Sequence, residues 1–361
     1  MTSILTLQIV TNDVTQSQRK PSMTEKNNIL VLNCGSSSLK FALIDVSTGE
    51  EALNGLAEKL GQNDASITVK QNGNKTTQPL NTKNNHSGAI GVLVEALDDK
   101  QLSQSIFAIG HRVVHGGETF TQSVLIDDDV LHAINNVSSL APLHNPANII
   151  GIKAAQTAFP GLPQVAVFDT AFHQTMPQHA YLYAVDTALY KEHGIRRYGF
   201  HGTSHFYVMS QAAKHLNKSK DQTSVITAHL GNGCSITAID NGQSVDTSMG
   251  MTPLEGLVMG TRSGDLDPGI IVHLMKHLDY SAEAIDNLLN KKSGLQGLSQ
   301  ISNDCRTLED QKDTVPAAKL ALDVFCYRIA KYIAAYMASL SHIDALVFTG
   351  GIGENSSYVR E

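Results

Sequence analysis

Three glycine-rich segments each follow a short apolar run, and their residue types suit the binding of polyphosphate. Ile29–Leu32 leads into Asn33-Cys34-Gly35-Ser36-Ser37-Ser38, and Ser224–Ala228 into His229-Leu230-Gly231-Asn232-Gly233-Cys234. Ala345–Thr349 leads into Gly350-Gly351-Ile352-Gly353-Glu354-Asn355. Glycines let backbone N–H groups approach phosphate oxygens closely, and serine hydroxyls add donors. Any one of these turns alone reads better as structural; the three together favour phosphate. Gly73-Asn74-Lys75-Thr76 lacks the spacing of a Walker A loop, and no G-x-G-x-x-G follows a strand. A nucleotide site here is therefore neither a P-loop nor a Rossmann site.

Charged and imidazole side chains surround these turns. Lys40 interrupts the apolar run Leu39–Ile44, where a charge is costly without an edge or a partner. It is either an outward lysine on a half-exposed strand or a phosphate contact. Asn33 could offer an amide oxygen to Mg²⁺, although carboxylates are commoner ligands. Arg112 and Arg262 lie in glycine-flanked, acid-poor stretches, Ile109–Gly117 and Met259–Asp265. Such guanidinium groups suit a carboxylate or phosphoryl group, or else satisfy carbonyls at the core edge. His111/His115 and His201/His205 have the spacing of a helical zinc pair, but neither carries the HExxH glutamate, and Gly116 and Gly202 disfavour regular helix. His144 and His201 sit on tight loops of the kind that hold functional groups. Asp169 ends the apolar run Val165–Phe168, and carboxyl ends of strands line ligand crevices in open α/β sheets. Asp267-Pro268-Gly269 reads as a helix N-cap with Pro at N1.

The elements that must carry these groups can be read from periodicity. Residues 29–44 and 225–239 both read as strand, glycine turn, strand, each closed by an aspartate, Asp45 and Asp240. That repetition predicts a duplicated α/β domain. Gln164–Phe168 is predicted as a strand and Ala147–Thr157 as a helix. Val315–Leu340 is predicted as a long, largely buried helix on the spacing of Leu320, Val324, Tyr327, Ile329, Ile333 and Met337. Residues 61–87, rich in Asn, Gln, Lys and Thr, are expected to be an exposed irregular insertion.

The 361 residues allow two or three domains, and 42% apolar with 17% charged residues is a globular composition. A net charge of −7 argues against a nucleic-acid surface or polybasic membrane anchor. No apolar run reaches the eighteen or so residues of a membrane span. The dispersed Cys34, Cys234, Cys305 and Cys326 read as reduced thiols of a cytoplasmic protein. Residues 1–22 fit a secretory signal poorly and are expected to be a disordered extension, with Met23 the more natural start.

Asn33–Lys40, Gly110-His111-Arg112-Val113-Val114-His115-Gly116-Gly117, Tyr198-Gly199-Phe200-His201-Gly202-Thr203-Ser204-His205, His229–Gly233 and Gly350–Asn355 occur in one order, and together they resemble the signatures of the acetate kinase family. The resemblance runs from about Asn28 to Glu361. It implies the α/β architecture of the sugar kinase, Hsp70 and actin superfamily: two duplicated ribonuclease-H-like domains with the active-site cleft between them. The expected division is 23–169 for the N-terminal actin-like domain and 170–361 for a nucleotide-binding and dimerisation domain. The implied reaction is direct in-line, reversible transfer of a phosphoryl group from ATP to acetate, giving acetyl phosphate and ADP, with Mg²⁺ or, in its place, Mn²⁺. A homodimer that binds neither nucleic acid nor membrane is also implied.

Carried over residue by residue, the resemblance gives Asn33 to the metal and Lys40 to the nucleotide phosphates. Arg112 and Arg262 would bind acetate and the transferring phosphoryl group, and His201 would stabilise the transition state with His144 nearby. Asp169 would fill an acid/base or orienting position, of which orienting is preferred, because acetate is already a nucleophilic anion. Val114, Leu143, Phe200 and Pro253 would surround the methyl group. His229, Leu230, Gly231, Asn232 and Gly233 would hold phosphate. Asp304, Cys305 and Arg306, with Gly350, Gly351, Ile352, Gly353, Glu354 and Asn355, would surround the adenosine end. Family members continue beyond the point equivalent to Glu361, into a segment supplying a second magnesium-associated glutamate. The expectation is a C-terminally truncated chain with exposed apolar surface and weak Mg²⁺ binding. A propionate or short-chain acyl kinase and an inactive nucleotide-binding homologue are the alternatives.

Overall fold

The structure, a computed structural model, describes residues 27–142 and 144–361, so residues 1–22, Met23 and Leu143 lie outside the described residues. The chain divides between Ala171 and Phe172 into two compact units.

The first unit is built on an eight-stranded sheet. Its strands are β1 (Asn28–Gly35), β2 (Ser38–Asp45), β3 (Glu51–Glu58), β4 (Ser66–Gln71), β5 (Asn74–Pro79), β6 (Ile106–Val113), β7 (Val124–Leu125) and β8 (Gln164–Phe168), in the order β5-β4-β3-β2-β1-β6-β8-β7. β1 to β5 pair antiparallel, and β6 and β8 then add in parallel beside β1. β1 and β2 are continuous apolar runs because both of their faces are covered. One face packs Leu30, Leu32, Leu39, Leu43 and Ile109 against α1 (His86–Asp99) and α3 (Asn145–Ala158). The other holds Ile29, Val31, Ala42, Ile44 and Ala108. Each such side chain, fully buried, contributes roughly 1.5–3 kcal/mol. A short α2 (Asp128–Asn136), capped by Asp127 accepting from Val130 N–H, closes the far edge with β8.

Residues 66–79, expected to be irregular, form the β4–β5 hairpin instead. Asn72 and Gly73 both take positive φ, 49° and 78°, which is the two-residue Asn-Gly turn that matches strand twist. β5 is exposed along its whole length, so it carries no apolar alternation to reveal it.

The second unit repeats the strand order on a smaller scale. β9 (Val225–Leu230), β10 (Cys234–Asp240) and β11 (Gln243–Thr247) are antiparallel, and β12 (Ala345–Thr349) runs parallel to β9, giving β11-β10-β9-β12. Its helices are α4 (Gln178–Tyr181), α5 (Thr187–His193), α6 (Gly202–His215), α7 (Gly269–His277), α8 (Ala282–Lys291), α9 (Gly294–Ser299), α10 (Cys305–Gln311), α11 (Pro316–Met337), α12 (Gly350–Asn355) and α13 (Ser357–Arg360). The long helix α11 is present, but its buried stripe is Ala318, Ala321, Leu322, Phe325 and Ile329. Leu320, Tyr327 and Met337, assigned inward from spacing, are exposed. Alanine hides the true stripe: α11 packs closely on α9, α10 and β10, where small residues fit. Asp267 accepts from Gly269 N–H as a cap would, although α7 begins at Gly269 and not at Pro268.

His111 on β6 and His115 just beyond it are both buried, and burial pushes each imidazole down to about 4. For His111 the bond to Gln164 Oε1 works the other way without overcoming burial. The unfolded chain takes up these protons near pH 6.5 and the native state only near pH 4. Stability is therefore lost as pH falls through that window, by roughly 3 kcal/mol for each histidine. Urea unfolding midpoints should fall steeply from pH 7 to pH 4.5, and His111→Gln should flatten that slope; an equal slope would exclude the assignment.

Candidate functional site

In the first unit, strand alternation puts Asn33, Lys40 and Arg112 on the sheet face of Ile29, Val31, Ala42 and Ala108, opposite α1 and α3. Asn33 and Lys40 are register partners across the β1–β2 hairpin. The turn between them is tighter than expected, only Ser36-Ser37, because the strands run on to Gly35 and start again at Ser38. Lys40 is exposed and, with Asn33, lines a cavity of about 450 Å³ that also takes in Glu51, Asn54, Glu58 and Lys70.

The expectation that Arg112 has no nearby acid is corrected by the fold. Parallel pairing sets Arg112 beside Val167, and Asp169 lies just past that strand's end, its N–H donating to Val113 O. Arg112 Nε donates to Asp169 Oδ1 at 2.9 Å and Nη2 to Oδ2 at 2.5 Å, a fork-to-carboxylate pair. Nη1 reaches Asn33 Oδ1 at 3.3 Å. Burial works against the guanidinium charge, but Asp169 overcomes it and raises the Arg112 pKa. A sequence window cannot reveal a partner 57 residues away.

Two asparagines that sequence reasoning passed over tie this region together. Asn148 donates to Cys34 O at 2.7 Å and accepts from Val114 N–H at 3.1 Å, joining the first glycine turn to the end of β6. Asn145 makes the equivalent reciprocal pair with the His115 backbone. Their signal was two asparagines three apart in an apolar helical pattern. Val114 is buried, and His144 stands directly before α3.

In the second unit, His201 is the residue before α6 and takes φ 58°. The helix begins at Gly202 despite the glycine, and it carries His205 on its first turn. His201 Nδ1 meets Ser235 Oγ at 2.8 Å, and its ring stacks on His229 with centroids 4.2 Å apart. His229 Nδ1 in turn meets Ser204 Oγ at 2.8 Å. A Cβ placed on Gly233 would lie 3.3 Å from Arg262 Nη1 and 3.8 Å from His201 Nε2. The two cationic-type groups thus converge over a backbone that has no side chain. Arg262 Nη1 donates to Pro253 O at 3.3 Å; among the described residues it has no carboxylate partner, and burial pulls its pKa down. Phe200 is buried, and its carbonyl meets His173 Nε2 at 3.0 Å.

Three segments far apart in sequence line one cavity of about 620 Å³: Gly231 and Asn232, then Asp304, Cys305 and Arg306, then Gly351, Ile352 and Asn355. Asn303, which sequence reasoning missed, donates to Asn232 Oδ1 at 2.9 Å. Asp304 caps α10 and pairs with Arg306, whose hydrogen bond holds the carboxyl below its usual range. Cys305 is buried beside Glu309, and burial first, then that carboxylate, push its thiol up. Leu230 is fully buried in the sheet, and His229 lies at the His201 cluster, not on this cavity. Residues 350–355, read as a turn, coil into α12 after Gly350; Gly353 is buried in it, and Glu354 accepts from Thr349 Oγ1 at 3.1 Å.

The two units share one order of paired strands, and the solved structures that superpose on the chain include an acetate kinase and a propionate kinase, which makes this a phosphotransferase of the actin-like ATPase fold. Residues 28–361 match the model of the Acetokinase family, and the chain belongs to that family. It is 58% identical over 336 residues to the acetate kinase of Shewanella sp. (strain ANA-3), covering 92% of this chain and 84% of that one. The structure superposes on the acetate kinase of Porphyromonas gingivalis with TM-score 0.89 at 46% identity, covering 92% of this chain and 85% of that one. It also superposes on a propionate kinase from Francisella tularensis subsp. tularensis SCHU S4 with TM-score 0.89 at 50% identity, covering 92% and 86%. Among the described residues no helix is long and apolar enough to cross a membrane.

The glycines at the last turn separate backbone strain from contact. Gly350 has φ +82°, and a Cβ there would lie 2.5 Å from Leu230 O, whereas a Cβ on Gly351 would meet nothing within 4 Å. Gly350→Ala should cost about 2 kcal/mol or more, and Gly351→Ala should stay within about 0.5 kcal/mol, in urea denaturation.

Proposed function

We propose that this chain transfers the γ-phosphoryl group of ATP reversibly to acetate, giving acetyl phosphate and ADP. The supporting observation is the pair of cationic clusters: Arg112 held by Asp169 in the first unit, and Arg262 with His201 over Gly233 in the second. Acetate is anionic near neutral pH, so the obstacle is bringing one anion to another, not removing a proton. Arg112 would take the acetate carboxylate, and Arg262 and His201 the equatorial phosphoryl oxygens, lowering repulsion along the in-line path. Asp169 has both oxygens on Arg112, which supports an orienting role over proton abstraction.

The cavity of Asn232, Asp304 to Arg306 and Ile352 would hold the nucleotide, and Lys40 would meet its phosphates. Among the described residues no group of three or more His, Cys, Asp or Glu is placed to bind a metal ion. The amide oxygen of Asn33 suits a hard cation that draws its other ligands from phosphates and water. Mg²⁺ bound there, or Mn²⁺ in its place, would neutralise phosphate charge. We place the enzyme in the cytoplasm as a homodimer. The dimer is supported by α7, none of whose residues is buried although Ile270, Val272 and Met275 lie on it.

The likeness to a propionate kinase favours a second reading, a C3 acid as acceptor. Val114 is buried and branched, which supports acetate, and one methylene is worth about 1–3 kcal/mol of discrimination. Trapping acyl phosphate as hydroxamate with Mg-ATP should give acetate-dependent turnover, with kcat/KM for acetate roughly 10- to 200-fold above propionate. Arg262→Ala should lower kcat by about 10²-fold or more. A ratio reversed in favour of propionate would establish the second reading. ATP binding without any acyl phosphate would leave an inactive nucleotide-binding homologue.

A further inference from the structure

Four side chains of the second unit form one line of hydrogen bonds. Thr227 Oγ1 meets His205 Nδ1 at 2.7 Å, His205 Nε2 meets Ser235 Oγ at 2.7 Å, and Ser235 Oγ meets His201 Nδ1 at 2.8 Å. Thr227, His205 and Ser235 are fully buried. Each hydroxyl has one proton to donate, and a neutral imidazole has one N–H. Burial, with His173 and His229 adding to it, pushes His205 far down, so it is neutral near pH 7.

The line then has three consistent orders: outward, inward, and a mixed one in which Ser235 accepts from both His205 Nε2 and His201 Nδ1 and strands its own buried O–H. In the outward order Thr227 donates to His205, His205 donates from Nε2 to Ser235, and Ser235 donates to His201 Nδ1. His201 must then carry its own proton on Nε2. In the inward order every bond reverses, and His201 donates from Nδ1. Thr227 Oγ1 has no hydrogen-bond partner besides His205 among the described residues. The inward order therefore strands its O–H donor in a buried place, which is costly, whereas the outward order strands none.

We propose that Thr227, His205 and Ser235 are positioning residues that hold His201 in its Nε2–H form, so that it meets the transferring phosphoryl group as a neutral hydrogen-bond donor. The proposal rests on the placing of His201 at that group. Nε2 is the ring nitrogen on the Gly233 side, 3.8 Å from a Cβ placed there, beside Arg262 Nη1. A proton at His201 Nδ1 makes Ser235 accept there, which strands either the Ser235 or the Thr227 O–H, so the relay opposes the imidazolium. The surrounding groups act in the same sense: Arg262 is a like charge, and the rings of His229 from β9 and His205 from α6 adjoin His201. His173 packs edge-on to His205 from the opposite side. A donor that is neutral keeps its hydrogen bond across neutral pH without titrating.

The test is ¹⁵N NMR of the histidine-labelled 361-residue chain from pH 6 to pH 9, with Thr227→Val and Ser235→Ala beside the unmodified protein. At pH 8 His201 should show an N–H signal at Nε2 and a pyridine-like Nδ1. Thr227→Val removes the donor that would be stranded, so it should populate the Nδ1–H form and raise the His201 pKa by half a unit or more. Its kcat should fall about five- to fifty-fold with KM for acetate held within three-fold, and the acid limb of the pH profile should move by the same half unit. Ser235→Ala cuts the line, so adding Thr227→Val to it should change neither tautomer nor pKa further. An Nδ1–H tautomer in the unmodified protein overturns the proposal, even if both variants fail to fold. A Thr227→Val protein with unmoved tautomer and pKa overturns it equally. Because the tautomer is read without turnover, a chain that forms no acyl phosphate would remove the proposed function while leaving the relay standing.

Discussion

The parallel register between β6 and β8 is the constraint on which the first unit's chemistry depends. Arg112 is opposite Val167 in that register, and Asp169 follows one residue after the strand ends. Its N–H still donates to Val113 O, so the carboxylate is delivered back onto the guanidinium by the sheet itself. A slip of two residues would move the pair apart by about 6–7 Å, beyond any hydrogen bond. A slip of one would turn Arg112 to the helix-packed face, where a charge has no partner. The ion pair thus costs little additional ordering: ladder hydrogen bonds and the core around Phe168 have already fixed both backbones.

The second unit solves a related problem with neutral groups. Its strands β9, β10 and β11 carry the buried Thr227, Ser235, Thr237, Ser244 and Thr247. Each of these hydroxyls is bonded: Thr237 to Thr247 at 2.8 Å, Ser244 to His173 Nδ1 at 2.9 Å, and the other two to histidines. Buried hydroxyls paired in this way are tolerated where unpaired ones would each cost about 1–3 kcal/mol. They also give the histidines directional partners, which an apolar core could not. The same buried polarity that weakens the apolar pattern of β9 and β10 therefore orients the imidazole ring at the mouth of α6.

This explains which features could be read from sequence. Strands β1, β2 and β8 were legible because both faces are apolar, and the glycine turns were legible because they interrupt those runs. The β4–β5 hairpin was not, because β5 has an entirely exposed polar surface and only Asn72-Gly73 marks it. The inward face of α11 was misassigned because Ala318 and Ala321 hold part of it, and a pattern weighted toward large residues overlooks alanine. Arg112 looked unpartnered because ion pairs across a parallel sheet join residues remote in sequence. The polar line behind His201 was invisible for the same reason. Thr227, Ser235 and His205 are ordinary residues until β9, β10 and α6 bring them together.

On the proposed reading, these two arrangements divide the electrostatic work in a way the chemistry requires. Acetate needs no base, and a carboxylate committed to Arg112 through both oxygens is poorly placed to act as one. Removing its charge would instead leave the guanidinium less well oriented, and burial would then weigh against its own charge. A fixed cation suits the acceptor side, because acetate carries a full charge from the start. The phosphoryl oxygens are also charged from the start, but transfer changes their geometry and the spread of that charge, and a polar donor pre-aimed by a buried line of hydrogen bonds can meet that change without reorganising. The ion pair and the neutral relay are therefore not interchangeable. An imidazolium beside Arg262 would add a second half-buried cation over Gly233, and it would be held there before any phosphate arrived to balance it.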